Sequence, residues 1–172
     1  MGEKEMTIAQ ALRRVKEIKG QVGKHVHNAQ HCVTHKTKDK PAYAFGAEME
    51  KAEGLVSEMI DLQTRIGAAN VKATVDFEGR TRSLLWCTKK LAEIKGSIAL
   101  HEGFAVRAQE KTHEEDFEWV RKEDGQTAHV KVETEWTCHL PEAARAARVA
   151  TLQGKFVELN DLVETMNHRT AV

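Results

Sequence analysis

Three histidines stand at even intervals: His27, His31 and His35, with Cys32 beside the second. On a helix, positions i, i+4 and i+8 share one face, and two helical histidines four residues apart can share a zinc ion. A zinc protease of the HExxH kind would place a glutamate next to the first histidine as its general base. The run here is HNAQH, with Asn28 in that place, and no CxxC pair offers a structural zinc site. Two readings stay open, a solvated histidine face and a metal pair. No metal or cofactor is assigned.

A second group lies just beyond, in HKTKDKPAYAFG, His35 to Gly46. Lys36, Lys38 and Lys40 precede Tyr43 and Phe45, and cations beside aromatic rings can hold a phosphate and stack a base. The same two rings could instead pack back onto the protein. The third group is EEDFEWVRKEDGQTAHVKVETEWTCHL, 114–140. Phe117 and Trp119 alternate with Glu118 and Val120. Val130, Val132, Thr134, Trp136 and Cys138 alternate with His129, Lys131, Glu133, Glu135 and Thr137. Glu123-Asp124-Gly125 between the runs is a turn signal, so this segment reads as a β-hairpin arm. A lone hairpin is marginally stable in water, so a Phe/Trp/Val face must cover the helices, another subunit or a partner. Trp119, Arg121, Lys131 and Trp136 are its candidate contact residues. There is no GxSxG and no P-loop, so no catalytic residue is assigned and enzymatic activity is not expected.

What must position these groups is a chain of 172 residues, long enough for one domain with a real core. Lys+Arg and Asp+Glu both number 26, so no net charge draws the chain to nucleic acid or acidic membranes. Three cysteines without paired spacing make no disulfide framework, which points to a reducing cytoplasm. The first ten residues, MGEKEMTIAQ, have no apolar signal-peptide core. No stretch approaches the roughly 20 apolar residues that span a bilayer.

The chain repeats itself. TIAQALRRVKEIKGQV, 7–22, aligns with SLLWCTKKLAEIKGSI, 83–98, and MIDLQTRIGAANVKATV, 59–75, aligns without gaps with FVELNDLVETMNHRTAV, 156–172. Two matched blocks in the same order mark an internal duplication. Thr7 and Ser83 are both suited to cap a helix, and Gln10 completes a capping box for Thr7. Apolar residues recur with helical period at Ile8, Leu12, Val15, Val22, Val26, Ala29 and Val33, and similarly in the other blocks. The spacing predicts helices near 7–33, 47–70, 82–109 and 142–167. Asn70 and Asn167 are expected to end the second helix of each half in the left-handed conformation, and 75–80 to be a short connector. Gly20, Gly23 and Gly96 are expected to permit close helix contact. The expected fold is mainly α, an antiparallel four-helix bundle made of two tandem helical hairpins, 6–75 and 80–172. The β-hairpin arm, 115–138, is inserted in the second, all within a single domain.

TIAQAL at 7–12, LQTRIGAAN at 62–70, GRTRSLL at 79–85 and LNDLVETMNHRT at 159–170 together make the chain resemble the septicolysin-like family, small helical bacterial proteins with a domain of unknown function. The resemblance implies helical architecture and supplies no catalytic residue. The arm at 115–139 departs from the shorter loop the family would imply. Neither an apolar insertion segment nor a strongly basic amphipathic helix accompanies the lytic name. The expected function is a cytoplasmic, non-enzymatic helical scaffold that forms homo-oligomers and binds a partner through its insertions. The alternative is a small-ligand or nucleotide-sequestering protein that takes an anionic ligand on the Lys/aromatic loop 36–45.

Overall fold

A computed structural model describes residues 5–172. Two helices, a hairpin, a third helix, a second hairpin and a fourth helix follow in order: α1 (Ile8–Gln30), α2 (Phe45–Lys72), β1 (Thr74–Phe77), β2 (Arg80–Ser83), α3 (Leu84–Glu102), β3 (Lys111–Arg121), β4 (Thr127–Thr137) and α4 (Glu142–Arg169). The chain is thus a mixture of helices and two antiparallel two-stranded sheets, β1–β2 and β3–β4, which corrects the expected four-helix bundle. One correction lies at 75–80, expected to be a short connector, which is part of a β-hairpin over 74–83. Val75 and Phe77 are buried while Thr74 and Asp76 are exposed, the alternation of a half-buried strand. Glu78 and Gly79 both take positive φ, 49° and 72°, as the primed two-residue turn of a hairpin requires. The turn pairs Phe77 with Arg80.

The chain falls into two compact units, one of residues 5–91 with 158–172 and one of residues 92–157. In the first, α1 and α2 run antiparallel. Arg14 bonds Glu58 through Nε and Nη2, at 2.9 and 3.1 Å, while His25 and Asn28 both reach Glu48. The buried face of α1 is Ile8, Ala11, Val15, Ile18 and Ala29. Ala11 and Ile18 replace Leu12 and Val22 of the expected stripe, and Leu12 is exposed. Thr7 caps α1 in the expected capping box with Gln10, and Ser83 Oγ accepts the Trp86 N–H at the start of α3. α2 and α4 run to Lys72 and Arg169, past Asn70 and Asn167, so neither Asn ends its helix in the left-handed region. A Cβ at Gly20, Gly23 or Gly96 would meet nothing within 4 Å, so these glycines serve no close helix contact.

The duplication is visible in the backbone. Ile8 N donates to Thr170 O at 2.9 Å, and Leu84 N donates to Ala73 O at 2.8 Å. Ile8 matches Leu84 in one repeated block, and Ala73 matches Thr170 in the other. Likewise the Thr7–Ala171 bridge is the counterpart of the Ser83–Thr74 pair. Each half therefore starts its first helix on the end of the other half's second helix. Matched positions share burial: Ile8 and Leu84, Ala11 and Cys87, Ile18 and Ile94, Leu62 and Leu159, Ile66 and Val163 are all buried.

Glu48 is the one buried charged side chain among the described residues. His25 Nδ1 lies 2.9 Å from its Oε2, Asn28 Nδ2 donates at 2.9 Å, and Lys51 Nζ donates at 3.2 Å. These bonds, His25 first and then Asn28, hold its carboxyl down to about 2 against the opposing effect of burial, from an ordinary value of 4.5. A carboxylate whose pKa is depressed by folding stabilises fully above its unfolded pKa, and that stabilisation is lost as pH falls through the folded one. The stability gap between wild type and Glu48→Gln should therefore shrink as pH falls from about 4.5 to about 2. Urea unfolding of both proteins across that window reads it, and a gap independent of pH would contradict it.

Candidate functional site

The second unit has very little core. From 92 to 157, Ile94 is the one buried hydrophobic residue, while Leu100, Phe104, Phe117, Trp119, Val120, Val130, Trp136 and Val157 are exposed. α3 ends at Glu102, seven residues short of expectation, and Gly103 N closes it on Ala99 O at 3.0 Å. The freed residues lead into β3, which begins at Lys111 and makes the arm longer than 115–138.

The hairpin itself forms as its alternation requires. β3 and β4 are each 11 residues long and pair without a bulge from Lys111–Thr137 to Arg121–Thr127. At the tip Gly125 has φ 82°, its N–H donates to Lys122 O, and Asp124 Oδ1 accepts the Gln126 N–H. The turn is where Asp-Gly places it. The pairing corrects the single Phe/Trp/Val face, because residues directly opposite share a face. Phe117 opposes Lys131 and Trp119 opposes His129, whereas Glu118 opposes Val130, Asp116 opposes Val132 and Thr112 opposes Trp136. One face thus carries Phe117 and Trp119 with His129 between them, its ring stacked 4.8 Å from Trp119. The other carries Val120, Val130, Val132 and Trp136. From His113 to Thr127 every residue is exposed, and Trp119 reaches 71%.

Charge ties the first face together diagonally. Lys131 meets Glu115 at 2.6 Å, Lys111 meets Glu135 at 2.7 Å, and His113 lies 3.6 Å from Glu133. Glu115 and Glu133 stand directly opposite each other, a like-charge pairing that disfavours the strand contact. Arg121 is exposed at the last pair before the turn, opposite Thr127.

At the root of the arm, Phe104, Arg107, Trp136, Cys138, His139 and Leu140 line a cleft of about 560 Å³. The Arg107 guanidinium lies 4.3 Å over the Trp136 ring and also pairs with Glu114. Arg107 N donates to Cys138 Sγ at 3.4 Å, and that thiol donates to Leu140 O. The cleft's largely apolar walls with one cation suit an aromatic or aliphatic side chain better than a free anion. Sequence reasoning misses Arg107 and the cleft, because the helix expected over 82–109 takes in position 107.

The other candidate groups are placed as follows. Lys36, Lys38 and Lys40 are exposed in the α1–α2 loop, with Tyr43 and Phe45 also about half exposed. Phe45 opens α2. Arg82 lies 4.8 Å over the Trp86 ring, and with Arg80, Lys90, Phe77 and Glu78 they line a recess of about 390 Å³ in the first unit. It joins cations to an aromatic ring, the combination that the sequence offers at 36–45. Its signal is the GRTRSLLW run, where a linker is expected. His27 and His31 bring their Nε2 atoms to 3.1 Å, but α1 ends at Gln30, so His35 leaves their face. Among the described residues no three His, Cys, Asp or Glu side chains converge as a metal site. Cys32 and Cys87 are buried, and burial pushes the Cys87 thiol up. Among the described residues no helix is long and apolar enough to cross a membrane.

No protein-family model, curated protein or solved structure matches the chain.

Proposed function

We propose that this chain is a non-enzymatic, self-associating scaffold whose β3–β4 arm docks onto a second copy of itself. The observation that carries this reading is the contrast between the units. Nearly all the buried apolar residues belong to the first, whereas the second buries one isoleucine and leaves Phe117, Trp119, Val120, Val130 and Trp136 exposed on its arm. A two-stranded hairpin is marginal in water without a covering surface, and burial of apolar area is the main favourable term available to hold it. Exposed aromatics with a charged surround are the composition of an interface centre and rim. A second copy is favoured as the occupant because the arm presents its own open strand edge, on which Lys131 and Glu133 stand two residues apart with opposite charges. The septicolysin-like resemblance contributes no catalytic residue to this reading.

Light scattering coupled to size exclusion tests it. The expected result is a mass of two 19.3 kDa chains that falls toward one on dilution. A single-chain mass at every concentration would overturn the reading.

A further inference from the structure

We infer that two copies join through the β4 edge, antiparallel, about a two-fold axis at Val132, to make one four-stranded sheet. This rests on the self-association proposed above and names its contact surface. Among the described residues β4 pairs with β3 alone, so its outer edge is open along 11 residues without a proline or bulge. Such an edge is a template for another strand unless its side chains forbid it. Here they favour it.

A two-fold axis normal to a sheet pairs residues of the same face across an antiparallel contact. Val132 is the midpoint of Thr127–Thr137. With the axis there, Val132 meets itself, Lys131 meets Glu133 of the second copy, and His129 meets its Glu135. Every charged contact joins opposite signs or a histidine to a carboxylate, and each occurs twice. On the other face Val130 meets Thr134, and Trp136 meets Ala128. Because Ala128 opposes Val120 within each hairpin, the row runs Thr112, Trp136, then Ala128 and Val120 of the second copy. The tip of one arm thereby covers Trp136 at the root of the other, beside the 560 Å³ cleft.

Other registers fail on charge. With the axis on Lys131 or Glu133, that residue faces its own copy. With the axis on Val130, Lys131 faces His129 and Glu133 faces Thr127, so neither meets an opposite charge, and on Thr134, Glu133 faces Glu135. Like charges directly opposite are destabilising. Full-length pairing of the β3 edge fails in the same way: Asp116 would face itself, Glu114 would face Glu118, and Lys111 would face Arg121. The pairing at Val132 also answers the Glu115–Glu133 opposition inside the hairpin, since it sets a lysine against the open side of Glu133.

The test is charge exchange in the full chain, read by sedimentation velocity. Lys131→Glu and Glu133→Lys should each weaken homodimerisation at least about tenfold, because two attractive contacts become repulsive. Mixed together, the two variants should form a heterodimer of near wild-type affinity, since position 131 of each copy then faces the opposite charge at position 133 of the other. Circular dichroism of each variant alone checks that the arm is retained. A dimeric wild type that neither variant weakens would overturn the β4 contact and leave arm-mediated association standing. So would two weakened variants that fail to rescue each other. A monomeric wild type would overturn both.

Discussion

Trp136→Ala should weaken association of the chain by more than ~2 kcal/mol, the scale of an aromatic hot spot, or about thirtyfold in Kd. Trp136 is still 42% exposed in the single chain, with Arg107 stacked over one side of its ring. Its remaining surface is available to a second copy. Glu133→Ala, on the opposite face, removes the two exposed Lys131–Glu133 pairs of the dimer and should cost ~0–1 kcal/mol for each pair. Measuring both unfolding and dimer dissociation for the two variants separates an interface role from a folding role. Should Trp136→Ala lower folding stability and leave association unchanged, the ring serves the monomer. Equal and negligible effects of the two substitutions on association would remove Trp136 from the interface.

The second large effect belongs to the first unit. Leu84→Ala should destabilise the chain by ~2–5 kcal/mol, the cost of truncating a leucine in a packed core. Leu84 is fully buried, its N–H joins α3 to the end of α2 at Ala73, and it matches Ile8, which does the same for the other half. Leu100→Ala, exposed near the end of α3, should change folding stability by no more than ~0.5 kcal/mol. Urea denaturation of both variants reads the difference. Comparable losses at the two positions would mean that the core is not where burial places it.

The repeats are legible in the sequence because they carry period and caps together. Thr7 and Gln10, and then Ser83, sit at helix starts as their side chains demand, and matched residues such as Leu62 and Leu159 are buried alike. The arm is legible from strict alternation and Asp124-Gly125. What escapes a reading of the sequence is set by pairing rather than by local pattern. Val75 and Phe77 form too short a run to announce a strand, and Glu78-Gly79 is a weaker turn signal than Asn-Gly or Asp-Gly. Alternation within β3 and within β4 cannot say which residues of the two share a face. The register decides that, and it separates Trp119 from Trp136. Leu12 and Ala11 show the same limit on a helix, where adjacent apolar residues leave the orientation of the stripe to the partner helix. Glu48 reads in the sequence as one more exposed acid, because His25 and Asn28, which converge on it, come from the neighbouring helix.

The most direct test of the central claim compares the wild-type chain with one lacking 115–138, by light scattering coupled to size exclusion at matched concentrations. The arm-docking account predicts a mass of two 19.3 kDa chains for the wild type and a folded single chain for the deletion. A wild-type chain that elutes at 19.3 kDa, or a dimer that survives loss of the arm, would contradict it.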